Sequence, residues 1–573
     1  MSLSAGPEPS KSDSHAGHRP WDIVTALAIV LQIVLSIHFA ATASVTHDEF
    51  WHLPIGSLHC RTARFDWEPL NPPLVRTWAG LPVALLDQTP VPKGPIPPGE
   101  YGDRFVAANA DRFQSLYFYG RLMIIVMSAA TTLLLALWAR ANCGAAAATV
   151  VAVTWGLSPT TIAHGSLVTT DLGAALAFVA VLWGLERVAE KPTWSRALLW
   201  GVTIGAAQGM KYTCVLLYPL SLICWWLTPR GQVARPRPGL VARRLLAAVA
   251  LSLAVLNAAY LFENSFRPLS AYAFRSQAMK TIANLLAPVR ALPLPVPAAF
   301  LIGLDEQRLV MEQQHPVYLD GQWSLTGFRS YYVKAIAYKT PLGTLALFLV
   351  AGFALVLRRM ELRRALFLVI PAAGLLVLAS SEGMQLGVRY VLPSLALLTL
   401  AAAGLLASPT ASLRKTGLLC AAVSLAGLWS HPYELASFNL LAGGPDGGRY
   451  HLVDSNLDWG QDLGTLANWM RNEQVDDIAL AYFGTADPGS FGIRFHEPPS
   501  QPAPGLYAIS VNFVMGRPHV ILDGKGGSRA VNIGEFSDFQ FFEPIARLGH
   551  SIDVYRLSEA DVARWKAAAR AAR

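Results

Sequence analysis

Charge is scarce in this chain: only 15% of its 573 residues are charged and 53% are hydrophobic, against about 25% charged in an ordinary soluble domain. A soluble core cannot absorb that much apolar sequence, so a purely soluble protein is excluded. Cysteine is scarce too. Of the five, only Cys60 falls where an oxidising compartment is expected, which argues against a disulfide framework. A CxxC pair, zinc-ligand spacing, a P-loop and a GxGxxG turn are all missing. The net charge of +8 lacks the basic stripe with interleaved aromatics that nucleic acid requires, and no nucleic-acid partner is expected.

Long apolar runs are abundant. Runs of about 17 to 25 residues match the hydrocarbon thickness of a bilayer. Eleven begin near Trp21, Ser115, Ala145, Leu172, Arg196, Tyr212, Leu245, Pro341, Ala365, Val388 and Thr416, and the fifth and sixth nearly abut. Cytoplasmic loops should be rich in Lys and Arg. With residues 1–20 as a cytoplasmic tail, the basic loops all fall inside: Arg140; Lys191 and Arg196; Arg230, Arg235, Arg237, Arg243 and Arg244; Arg358, Arg359, Arg363 and Arg364; Arg414 and Lys415. The first run is expected to be retained. Ala41-Thr42-Ala43 resembles a cleavage site, but the stretch from Trp21 exceeds a typical signal-peptide h-region.

These patterns predict a polytopic α-helical membrane domain over residues 21–430, with outer loops at 45–114 and 264–340. The remainder, 431–573, is polar. Strand candidates lie at Asp477–Phe483, Leu506–Val514 and Ile552–Leu557, and helices near Gly464–Arg471 and Glu559–Arg570. A small α/β domain on the outer face is expected there.

Chemistry concentrates at predicted outer helix ends. Asp48 and Glu49 stand in Thr46-His47-Asp48-Glu49-Phe50-Trp51-His52-Leu53-Pro54, just past the first run, where acidic residues are costly. Adjacent side chains do not face one way, and a helix cap over 49–58 is the plain alternative. Asp171 begins another apolar helix, after His164-Gly165-Ser166-Leu167-Val168-Thr169-Thr170, with capping again the alternative. Lys211, Arg389 and Lys339 are cations on the side where cations should be scarce. They snorkel to lipid headgroups or bind an anion at the membrane surface.

Several segments together resemble GT-C glycosyltransferases of the protein-mannosyltransferase and aminoarabinose-transferase kind. They are Thr46–Pro54 with Asn71-Pro72-Pro73-Leu74, His164–Asp171, Gly209–Tyr212, Gly321–Gly327 with Tyr338–Leu342, and Gly387–Pro393. The resemblance implies the GT-C fold, with Asp48 as catalytic base, Asp171 as second acidic site, and Lys211 and Arg389 as receivers of a polyprenyl phosphate. Glu49 is expected to assist, and Lys339 is a third phosphate candidate. His52, Asn71 and Trp459 are candidates for acceptor or sugar contact. Two departures stand out. Tyr212 follows Lys211 where the aminoarabinose branch has Gly, and the MIR domains of eukaryotic protein mannosyltransferases are absent. The tail motif Asp454-Ser455-Asn456-Leu457-Asp458-Trp459-Gly460-Gln461-Asp462 is similar to tails of uncharacterised bacterial relatives. It is read either as a sugar-binding surface or as a hydrogen-bonded turn.

The expected function is an inverting glycosyltransferase of a plasma (bacterial inner) membrane, active on its periplasmic or extracellular side. It would move a sugar from a polyprenyl-phosphate donor to a hydroxyl of a protein, glycan or lipid acceptor. A divalent metal is possible; His47 and His52 keep that question open, and its ligands are unknown. The competing readings are a lipid transporter or flippase, whose polar residues should sit near the midplane, and a membrane-anchored assembly factor.

Overall fold

The computed structural model describes residues 19–228 and 238–571. Most of the expected cytoplasmic tail, and Arg230, Arg235 and Arg237, lie outside the described residues. Each of the eleven apolar runs forms helix. Among the described residues, six helical spans are long and apolar enough to cross a bilayer: Arg19–Thr42, Phe113–Cys143, Asp171–Glu190, Pro238–Ala259, Leu362–Ser381 and Val388–Ala407. Ala145–Gly156, Tyr212–Leu227 and Leu342–Val356 are shorter apolar helices. Their outer faces expose large apolar side chains, among them Leu222, Trp226, Leu246, Leu349, Phe353 and Val377, as helices facing lipid do. The chain is an integral membrane protein.

Small residues set the closest helix crossings. Helices Trp194–Gln208 and Pro238–Ala259 pack together, with Gly201 and Gly205 against Ala248 and Ser252. Helix Glu49–Thr62 crosses Pro73–Ala84 at Gly56 and Gly80. A Cβ on Gly56 would stand 2.1 Å from the Arg76 carbonyl oxygen.

The first expected outer loop folds into helices Glu49–Thr62, Pro73–Ala84 and Pro98–Ala108. The second holds helices Gln277–Leu285, Ala298–Met311 and Tyr331–Lys339, with a short hairpin pairing Val317–Leu319 and Gln322–Ser324. The C-terminal region carries a five-stranded sheet in the order Phe495–His496, Ile478–Ala481, Gly505–Ser510, Ile552–Leu557, Ala546–Leu548. The first three strands run parallel and the last two pair antiparallel. The strand expected over Leu506–Val514 ends at Ser510. Val511–Val514 turns helical, and within that turn the Asn512 amide bonds the Asp454 N–H and the Asp458 carbonyl. One apolar cluster runs from the bundle, through Val151 and Leu397, into Leu463, Ala508 and Val554 of this region.

Gly56→Ala tests the crossing directly. Forcing a methyl into that contact should cost about 1–3 kcal/mol, read as a lowered Tm of the purified protein. An unchanged Tm would show that the two helices separate freely.

Candidate active site

Two loop-to-helix junctions supply the acids, and neither acid acts as a cap. Asp48 precedes helix Glu49–Thr62 but makes no capping hydrogen bond. Glu49 instead folds back on the loop before the helix, accepting from the Thr46 N–H at 3.1 Å and the Thr46 hydroxyl at 2.9 Å. Asp171 opens its helix from the first turn, also without capping. Both carboxylates turn to cations. Arg389 Nη1 donates to Asp48 at 2.7 Å and to Asp171 at 3.4 Å, and Lys211 Nζ forms an ion pair with Asp171. Residues separated by up to 341 positions thus meet in one network.

The network lines a cavity of about 390 Å³, with His52 and Asn71 also in its wall. Val310, Met311, Met384 and Leu386 complete an apolar part of the lining. The structure therefore brings together Asp48, His52, Asn71, Asp171, Lys211 and Arg389. Glu68, Tyr390 and Gln307 line the same cavity and were not singled out in the sequence. Glu68 is ion-paired to the buried Arg76, a pairing whose only trace was proximity to Asn71-Pro72-Pro73. Lys211 Nζ lies 4.7 Å from the centroid of the Tyr390 ring.

Three expected site residues stand outside the cavity. Glu49 is fully buried, held by Arg121 Nε at 2.9 Å and Nη2 at 2.6 Å, and accepts the Val168 N–H at 2.8 Å. Arg121 also donates to the Ala40, Ala43 and Ser44 carbonyls. This pair fixes both loops that carry the acids. Lys339 is buried and donates to the Leu435 and Asn456 carbonyls at 2.7 and 2.5 Å. Trp459 is 1% exposed, and the Arg389 guanidinium lies 4.2 Å from its ring centroid, so that face is not open to a sugar.

Electrostatics divide the acid and the histidines. Burial alone would raise the Asp48 pKa, but Arg389, then His52 and His47, outweigh it and hold the carboxylate below its ordinary value. Burial lowers His47, and it lowers His52 to about 4, so His52 is neutral near pH 7. Asp48 retains 21% side-chain exposure, which leaves an oxygen open to an incoming group. Among the described residues, no group of three or more His, Cys, Asp or Glu side chains is arranged for a metal ion. The two carboxylates face cations rather than each other, an arrangement that does not fit a divalent ion.

At the far ends of the same helices lies a different cavity, of about 350 Å³, lined by Asn142, Glu186, Arg358, Arg359 and Arg364. Glu186 stands fifteen positions beyond Asp171 on one helix, a rise of about 22 Å. The acids and their cations thus occupy one end of the bundle and the arginine cluster the other.

Residues 112–259 match the family model described as dolichyl-phosphate-mannose-protein mannosyltransferase. That match, over this part of the chain, bears out the resemblance read from the motifs. No curated protein matches the sequence. Among solved structures, ArnT from Cupriavidus metallidurans bound to undecaprenyl phosphate is 14% identical, with a TM-score of 0.46, covering 89% of this chain and 97% of that one. Its apo form gives the same identity and TM-score over 78% and 72%. The Archaeoglobus fulgidus oligosaccharyltransferase, tethered to an acceptor peptide, is 12% identical, with a TM-score of 0.39 over 76% and 60%.

Two measurements check the division of roles. Glu49→Gln leaves Arg121 without its countercharge, and breaking a buried pair costs about 3–5 kcal/mol; the amount of folded protein should fall steeply. His52 binds a proton less readily folded than unfolded. Its contribution to stability is complete above about 6.5 and lost as pH falls toward about 4. In His52→Gln the acid unfolding midpoint should therefore move to lower pH, and an unmoved midpoint would mean that His52 is already protonated in the fold.

Proposed function

We propose that the protein transfers one sugar, at the outer face of the membrane, from a polyprenyl-phosphate carrier to an acceptor hydroxyl. The observation that carries this reading is the convergence of Asp48, Asp171, Lys211 and Arg389 on one cavity at one end of the bundle. Placement at the outer face is supported by the Lys and Arg of the opposite loops, including the arginine cluster at the far helix ends. The cavities at the two ends share no lining residue, which favours surface chemistry over a path through the bilayer.

In this reading Asp48 removes the proton of the acceptor hydroxyl as its oxygen attacks the anomeric carbon. The bond from that carbon to the phosphate oxygen breaks, and polyprenyl phosphate departs with the electron pair. Lys211 and Arg389 stabilise the charge growing on the leaving phosphate. Asp171 holds the two cations in place. Direct displacement inverts the anomeric centre. Polyprenyl phosphate is already a good leaving group, so the protonated second carboxyl needed for glycoside hydrolysis has no counterpart here. Net charge in the site is conserved, because the proton gained by Asp48 offsets the added negative charge of the phosphate monoester. The family match makes mannose the first sugar to test.

The test is transfer of radiolabelled mannose from polyprenyl-phosphate mannose to an extract of native membranes. Asp48→Asn should lower transfer about 10²–10⁴-fold at equal amounts of folded protein. Lys211→Met and Arg389→Gln should lower it too, through weaker hold on the donor. Equal labelling by Asp48→Asn would remove Asp48 as the base.

A further inference from the structure

The tail motif Asp454–Asp462 is far in sequence from both acid loops, yet it touches the two halves of the Asp48–Arg389 pair. On the acid side, the Trp459 carbonyl accepts from the His47 N–H at 2.9 Å and the Gln461 carbonyl from the Ser44 N–H at 2.8 Å. The Ser44 hydroxyl in turn accepts from the Gly464 N–H at 2.8 Å. The loop that presents Asp48 is thereby bonded to the tail on both sides of Val45 and Thr46.

On the cation side, the Asn456 side-chain oxygen accepts the Val388 N–H at 3.0 Å, and the Ser455 hydroxyl donates to the Leu386 carbonyl. Gly387 lies between them at φ 104°. A Cβ there would stand 2.6 Å from the Ser455 hydroxyl, so the close approach requires glycine. The Trp459 ring then faces the Arg389 guanidinium at 4.2 Å. A guanidinium over an aromatic face is attracted by the ring quadrupole, and this contact constrains the plane of the fork that Asp48 meets.

The segment is itself held from two directions. Gln461 closes it from within, accepting the Trp459 N–H and donating to the Leu457 carbonyl. From the C-terminal region, Asn512 bonds the Asp454 N–H and the Asp458 carbonyl. Asp454 takes a left-handed φ of 62°, a conformation that persists when the surroundings over-determine it. Here Asn512 and an ion pair to Arg517 do so.

We propose that the 454–462 segment sets the spacing of base and phosphate-binding arginine, with Trp459 the positioning residue for both. This assigns the C-terminal region a part in the reaction although its sheet lines no part of the Asp48 cavity. The inference rests on the sugar-transfer reading, but its first test does not need turnover.

That test is hydrogen–deuterium exchange on the purified full chain. Trp459→Met keeps a flexible apolar side chain at the position and removes the ring face. Exchange should accelerate at residues 44–48 and 386–391 and stay unchanged in strands Ile478–Ala481 and Gly505–Ser510. In the transfer assay the same variant should lose about 10²-fold, as misplacement of a reacting group does, and Trp459→Phe should restore most of it. If Trp459→Met does not accumulate, Asn456→Ser is read in the same way at 386–391. Unchanged exchange in both segments, or acceleration confined to the sheet strands, would overturn the proposal. Wild-type protein inactive with every donor would defeat the transfer reading and leave the exchange result to decide the positioning role.

Discussion

One guanidinium shared by two carboxylates organises this molecule. Arg389 reaches Asp48 and Asp171, and Lys211 completes the set on Asp171. Isolated charges at a membrane helix end are expensive; two of each sign within ion-pair distance balance one another. Arg suits the shared position because its planar fork offers several donors at fixed angles, whereas Lys supplies a compact charge. An anionic phosphate entering the cavity competes with the carboxylates for these same cations. In the proposed reaction, binding the donor and freeing Asp48 for proton transfer would be two sides of one exchange of partners.

Such a network needs stiff surroundings, because every member comes from a different part of the chain. The buried Glu49–Arg121 pair ties the loop before Asp48 to helix Phe113–Cys143 and, through Val168, to the loop before Asp171. The contact of Gly56 with Arg76 brings helix Pro73–Ala84, and Asn71 before it, against the cavity. Lys339 fastens the far side, bonding two carbonyls of the C-terminal region. These buried polar groups sit outside the cavity and belong to its frame.

Much of the site was legible in the sequence because membrane placement makes certain residues exceptions. Asp48, Asp171, Lys211 and Arg389 are charged where a bilayer end penalises charge, and all four meet. What the sequence could not settle was direction. Asp48 and Glu49 are adjacent and chemically alike, and only the packing of Arg121 shows which one turns inward to structure. Lys339 carries the same signature as Lys211, yet its partners are carbonyls contributed by Leu435 and Asn456, about a hundred residues away. Trp459 was the hardest, since an aromatic in a polar turn suits a sugar platform equally well until Arg389 is seen over its face. The eleven apolar runs were plain from composition, whereas the strand end at Ser510 depended on a tertiary partner of Asn512.

The central claim is that Lys211 and Arg389 receive the phosphate of a lipid carrier beside Asp48. The most direct measurement is a cryo-electron microscopy structure of the full chain with undecaprenyl phosphate added. The account predicts phosphate density within hydrogen-bond distance of Lys211 Nζ and the Arg389 guanidinium, with the Arg389–Asp48 contact lengthened. Phosphate bound elsewhere, with the four-residue network intact, would contradict it.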